Sequence, residues 1–236
     1  MKKFLAVILI LAVIIAAALE LFLPRIVADI LKEQVVKATH AQEVEFQLNS
    51  SPNAKIAVGE IDGVYGTASS GQIGDIDFKA LTADIKNLSV DVKELLFPTP
   101  NLNDKQRTEK IIKSIGKAEL TGIITEDGLK NFMERKVEHG ENMDVKIMPN
   151  EVTATGHIKV LGRDADVDVS GTFIMIDDDI YFHATNLDIR NTLVRNVQID
   201  RFLGDVKILE SETLPAGLKF TSVQMREGDV LITAAR

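Results

Sequence analysis

A chain of 236 residues, 45% of them hydrophobic, has room for one sizeable core, and with no Cys it forms no disulfide and no cysteine-based metal site or nucleophile. A net charge of -8 disfavours nucleic acid, which rewards cationic surfaces, and adhesion to anionic lipid by charge alone. With no Trp and two Tyr, the chain is mainly aliphatic in character, rich in Val, Ile and Leu.

The N-terminus reads as an export segment. Lys2 and Lys3 precede an unbroken apolar run from Phe4 to Leu19. Ala16, Ala17 and Ala18 supply small residues for a cleavage site, so residues 1–20 fit a signal peptide. Phe4 to Leu23 also reaches the roughly 20 residues of a spanning helix, with the two lysines held inside, so an uncleaved anchor fits equally. Both readings place residues 21–236, taken as a single domain, outside the cytoplasmic membrane, anchored, periplasmic or secreted.

Residues 21–40 read as an amphipathic helix. Leu23, Ile26, Val27, Ile30 and Leu31 recur at helical spacing, and Pro24 suits a first turn. Its polar face is mixed in sign, which favours packing on its own domain over lying in a membrane interface. From Glu43 the period becomes two. Val44, Phe46 and Leu48 alternate with polar residues, and Ile56, Val58 and Ile61 follow. Gly59 to Gly74, with Gly63, Gly66 and Gly71 between, reads as a turn or mobile loop. Ile76, Phe78 and Ala80, then Leu88, Val90 and Val92, alternate as strands up to the break at Phe97-Pro98-Thr99-Pro100.

Residues 101–115 read as a loop and a short helix, and Leu120, Gly122 and Ile124 as a strand. Thr125 is placed to cap a helix whose stripe is Leu129, Phe132, Met133 and Val137, with Glu126 and Asp127 in its first turn. Residues 143–188 form the clearest pattern, an antiparallel meander turning at Pro149-Asn150, at 161–164 and at Asp177-Asp178-Asp179. A helix is expected over 191–204, and two closing strands over 218–225 and 230–233. The fold class is α+β: a long curved antiparallel sheet wrapped around one long and two shorter amphipathic helices.

Catalytic patterns are missing. There is no G-x-S-x-G, Walker A, G-x-G-x-x-G or H-E-x-x-H sequence. His157 and His183 fall on the polar face of the meander, where lone surface histidines are more common than metal pairs. Asp164, Asp166 and Asp168 imitate a calcium loop but lack its Gly and Glu, so they read as a solvated strand face. No catalytic residue, metal or cofactor is expected. What remains is a large supply of aliphatic faces, which serve either as an ordinary core or as a groove for acyl chains. The positions assigned to such a groove are Val145, Ile147, Val152, Ile158, Val160, Val167, Val169, Phe173, Met175 and Phe182 on the meander, with Ile30 and Phe132 from the covering helices.

Taken in order, several segments resemble the LmeA-like phospholipid-binding proteins of bacterial cell envelopes. They are the export segment, the helix from Leu21 to Ala41, and the stretch from Ile61-Asp62-Gly63-Val64-Tyr65-Gly66 to Gly74. They continue with Ile76-Asp77-Phe78, Leu88-Ser89-Val90, Ile124-Thr125-Glu126-Asp127-Gly128-Leu129, Leu214-Pro215-Ala216-Gly217-Leu218 and Gly228-Asp229-Val230-Leu231-Ile232. The resemblance implies a tubular lipid-binding-like fold around an apolar cavity, phospholipid as partner, a role in envelope lipid metabolism, and no catalytic residues. The expectation is a non-enzymatic lipid-binding or lipid-transfer protein, tethered to the membrane by its N-terminal segment. The alternative is a structural or accessory envelope protein with a filled core that presents its polar sheet face to a protein partner.

Overall fold

The computed structural model describes residues 22, 24–30, 32, 33, 36, 40–73, 75–102, 106, 110–136, 141–160, 163–190, 205–214 and 217–236. The export segment over 1–20 and the helix expected over 191–204 lie outside these residues. Eleven strands dominate: β1 Glu43–Asn49, β2 Glu60–Ile73, β3 Ile76–Val90, β4 Ile112–Thr125, β5 Glu141–Met148, β6 Glu151–Val160, β7 Arg163–Ile176, β8 Asp179–Arg190, β9 Asp205–Leu209, β10 Lys219–Arg226 and β11 Asp229–Ala235. The helices are α1 (24–30), α2 Val92–Leu96 and α3 Glu126–Lys136. Among the described residues no helix is long and apolar enough to cross a membrane.

The strands divide into two antiparallel sheets where one long sheet was expected. The first runs β1-β2-β3-β4-β11-β10 and the second β5-β6-β7-β8-β9. The division follows from how the edge of β4 is filled. After β4 the chain turns into α3, and the free edge of β4 is taken by the C-terminal strand, Ile124 opposite Val230 and Gly122 opposite Ile232. The meander β5–β8 finds no edge there and forms a sheet of its own, in the register its turns dictate.

The glycine-rich stretch expected as a loop is instead β2. Its inward residues Val64, Gly66 and Ala68 keep the period of two, and the glycine permits a close approach. A Cβ on Gly66 would lie 2.5 Å from the Phe46 ring of β1. Ile56 and Val58, expected to continue an alternating pattern, sit on a 3₁₀ turn, Asn53–Val58, that buries Ile56 and exposes Val58. Gly59, at φ 87°, ends that turn, a left-handed conformation that glycine adopts without strain. β4 starts at Ile112, inside the stretch expected as loop and helix, with Ile112 and Ile115 packed inward while Lys113 and Ser114 are exposed. On β3 the inward positions shift from odd to even numbers, from Leu81 and Ile85 to Leu88 and Val90, across Asn87 at φ 53°. Asn tolerates that conformation better than most residues.

The main core lies between the sheets. Ile76, Phe78, Ile124, Val230 and Ile232 meet Val145, Ile147, Val152, Phe173 and Ile180, with Leu129 and Phe132 of α3 beside them. As expected, Thr125 caps α3, its Oγ1 accepting from the Gly128 N–H at 3.3 Å. Arg135 then anchors the helix to Asp77 and to the Asp75 carbonyl. A second cluster covers the other end of the first sheet: Ile61, Val64, Leu88 and Val90 lie under Val27 of α1, Ile56 and Leu95 of α2. Polar contacts tie the sheets together. The Ile147 N–H donates to Glu126 at 2.9 Å and its carbonyl accepts from the Gly228 N–H at 2.9 Å, while Lys219 of β10 pairs with Asp178 at 2.5 Å.

Candidate functional site

Between the sheets runs a crevice whose ten lining residues are all apolar: Ile73, Phe78, Leu81, Leu120, Gly122, Leu209, Leu214, Phe220, Ile232 and Ala234. The register of the first sheet aligns its floor. Leu81 lies opposite Gly122 and Gly122 opposite Ile232, while Leu120 lies opposite Ala234, so these side chains share one face. Gly122 is required by packing: a Cβ there would meet the Phe78 ring at 2.5 Å. At rest the crevice holds a cavity of only about 10 Å³. That is about one water-sized probe and far less than an acyl chain.

The opposite wall is carried by β9 and the 3₁₀ turn Ser211–Thr213, which bring in Leu209 and Leu214. A polar clasp holds this wall. Asp179 Oδ1 accepts from the Ser211 N–H at 2.8 Å and from the Ser211 hydroxyl at 3.1 Å, and Lys207 Nζ lies 2.9 Å from Asp179 Oδ2. The Ser211 amide, followed by Lys207, holds the Asp179 carboxyl below its usual range, and the Asp179 carboxylate holds Lys207 protonated well above its own. The neighbouring Asp178 reaches Lys219, whose pKa its carboxylate raises. The turn Asp177-Asp178-Asp179 is therefore more than a turn: it fastens the wall of the crevice and joins the two sheets.

The positions assigned to a groove from the sequence fall mostly in the intersheet core. Val145, Ile147, Val152, Phe173 and Phe132 are buried there, and Val169, Met175 and Phe182 pack half-buried against it. Phe173 and Phe182 face each other across β7 and β8 in an edge-to-face contact, 5.8 Å between centroids. Ile30 belongs to the second cluster, half-buried, and Val167 is half-buried opposite Gly156 and Ile189. The side chains of Ile158 and Val160 lie outside the described set. Among the described side chains of this set, none lines the crevice. Sequence reading did not single out Leu209, because β9 carries too short a pattern to register, and it met Leu214 only within the segment Leu214-Pro215-Ala216-Gly217-Leu218, not as a groove position. The alternation Leu120, Gly122, Ile124 was the signal for the floor.

The polar groups on the second sheet are engaged in pairs. His157 contacts Asp166 at 2.5 Å, His183 contacts Asp205 at 2.7 Å, and Asp168 pairs with Arg190. Among the described residues no three His, Asp or Glu gather as metal ligands would. A second, polar concavity of about 610 Å³ lies open beside α3, between Ser70, Lys79, Asp127 and Asn131, and Phe78 forms part of both walls.

Fold and site together define an antiparallel two-sheet protein with a closed apolar seam under a polar clasp. The family described as LmeA-like phospholipid-binding matches residues 17–235, and the chain belongs to that family, which binds lipid. No curated protein and no solved structure matches the chain.

Proposed function

We propose that the protein holds a phospholipid by its acyl chains in the seam between the two sheets and carries or presents it in the cell envelope, without catalysing a reaction. The observation behind this is the wholly apolar crevice, floored by one sheet and walled by Leu209 and Leu214, in a chain of a phospholipid-binding family. With about 10 Å³ free, the seam accepts a chain only when the Leu209–Leu214 wall moves. The magnitudes allow this. Burying an acyl chain of about 16 carbons returns on the order of 10 kcal/mol at about 0.8 kcal/mol per methylene. A hydrogen-bonded clasp costs only a few kcal/mol to open. As the wall swings out, Val169, Phe173, Met175 and Phe182 become the deep side of the groove and Val145, Ile147, Val152 and Phe132 its closed end. Val167 extends it along the meander, and the arrangement becomes the tube expected of the fold. The N-terminal run Phe4–Leu19 directs the domain across the cytoplasmic membrane and either anchors it on the outer side or is cleaved, leaving it periplasmic or secreted.

The filled seam also favours a second reading, in which the core is only a core and the protein presents its polar sheet to a partner. Native mass spectrometry of gently purified full-length protein separates the two. A bound mass that fragments to phospholipid supports the carrier. A protein that is lipid-free as isolated, and takes up no phospholipid from vesicles, removes it.

A further inference from the structure

Single exposed apolar side chains are ordinary on a protein surface. Here their placement is not scattered. Of the eight large hydrophobic residues that are exposed among the described residues, four (Phe22, Ile26, Val58 and Phe97) stand on the elements that cover the second cluster or at their edges, and two of these are the most exposed of all, Phe97 at 75% and Val58 at 71%. The geometry that groups them is explicit. Val27 of α1, Ile56 of the 3₁₀ turn and Leu95 of α2 pack together over Ile61, Leu88 and Val90. At each of these three elements an apolar side chain is left outside near one that enters the cluster: Ile26 beside Val27, Val58 near Ile56, and Phe97, just past the end of α2, near Leu95. Gly59 fixes the 3₁₀ turn against β3, its carbonyl accepting from the Val90 N–H at 2.8 Å, so Val58 is carried on a braced turn.

We propose that this end of the domain is a bilayer-docking tip, in which Val58 and Phe97 enter the headgroup–acyl boundary beside the N-terminal helix. Two features select a lipid bilayer as the occupant. The apolar run Phe4–Leu19 joins the described structure at this same end, through Phe22 and α1, so a bilayer that takes the run lies against the tip. The charge is also permissive. The described residues of 91–113 carry three basic side chains, Lys93, Lys110 and Lys113, and two acidic ones, Asp91 and Glu94, so this stretch lacks the acidic excess that elsewhere opposes an anionic lipid surface. Lys93, exposed on α2, is placed to meet a phosphate. The apolar contacts supply depth and the absence of net repulsion lets them be made, the usual division in interfacial binding.

This rests on the proposed function only in expecting the N-terminal run to enter a membrane; it does not require the seam to hold lipid. The absence of Trp gives a direct test. Phe97→Trp and Val58→Trp, each in the full chain reconstituted into vesicles of phosphatidylethanolamine and phosphatidylglycerol, place a single fluorophore at the tip. Val206→Trp places it on β9, in the sheet that contributes nothing to the second cluster. At Phe97 and Val58 the emission shifts to shorter wavelength on adding vesicles, and brominated acyl chains quench it at least twofold, while position 206 stays solvent-like and unquenched. All three positions are exposed, so the substitutions leave the core untouched. Unquenched emission at Phe97 and Val58 in vesicle-bound protein overturns the inference, and so does equal quenching at 206. Lipid retained by the same protein after detergent extraction reports on the seam separately.

Discussion

Replacing Asp179 by Ala tests whether the clasp governs access to the seam. The carboxylate accepts two hydrogen bonds from Ser211, at 2.8 and 3.1 Å, and lies 2.9 Å from Lys207 Nζ, while its side chain keeps 16% of its surface exposed. Hydrogen bonds to a charged group contribute about 1.5–3 kcal/mol each, but the two share one oxygen and Lys207 is well solvated, so the net loss is about 2–3 kcal/mol rather than their sum. For a domain of this size, about 2–4 °C accompanies each kcal/mol, so the Tm of lipid-free protein falls by about 4–12 °C. The wall bearing Leu209 and Leu214 is then held by apolar contacts alone. Exchange of a fluorescent phospholipid between donor and acceptor vesicles should accelerate in Asp179→Ala, and Asp179→Asn, which still accepts from Ser211, should fall between. The pH dependence has a defined sign. Because the carboxyl is held below its ordinary value, its contribution is present above an unfolded pKa of about 3.9 and is lost as pH falls through the lower folded value. A mutant whose melting and exchange both equal wild type would refute the clasp; lower melting with unchanged exchange would leave a structural brace and remove the gate.

Other perturbations reach different parts of the molecule. Gly122→Ala forces a methyl group to within 2.5 Å of the Phe78 ring in a seam with no slack, and calorimetry should show a loss of about 1–3 kcal/mol. Thr125→Ala removes the cap of α3 and should cost about 1 kcal/mol in a denaturant titration, with the midpoint shifted and the slope kept. The Asp178–Lys219 tie titrates in the opposite sense from Asp179. Lys219 has a raised pKa, so its contribution is complete below an unfolded value of about 10.4 and disappears as pH climbs through the folded one; Lys219→Met should flatten the alkaline limb of the melting profile. A C-terminal reporter that works only outside the cytoplasm should be active, and activity confined to the cytoplasm contradicts the export reading.

Legibility followed the length and cleanness of the periodic signal. The meander from Met143 to Ala184 could be read strand by strand because polar and apolar residues alternate without interruption and the turns are rich in Pro, Asn, Gly and Asp. α3 was readable because Thr125, two acids and a helical stripe agree. β2 was not, because Gly63, Gly66 and Gly71 are turn formers in isolation; only the ring of Phe46 lying over Gly66 reveals why the strand needs a glycine at that position. The division into two sheets was equally invisible. It depends on β11 pairing with β4, a contact between segments nearly half the chain apart. The floor of the crevice was legible in Leu120 and Gly122, but its opposite wall was not, because β9, which brings in Leu209, is five residues long and too short for a period to show. Asp177 to Asp179 looked like a solvated turn, and the partners that make it a fastening, Ser211, Lys207 and Lys219, are distant in sequence.

That late pairing also sets a schedule for folding. Until Asp229–Ala235 is available, β4 has a bare edge, and the first sheet ends at an unpaired row of amides and carbonyls beside buried residues such as Ile124. Such an edge recruits other strands, and non-local pairings of this kind form slowly. Under the proposed export from the N-terminus, the order of arrival would keep the sheet incomplete until Asp229–Ala235 has passed. The hazard of premature folding is lowered, and the burden moves to the interval after release, when β10 and β11 must reach β4 before a neighbouring molecule does.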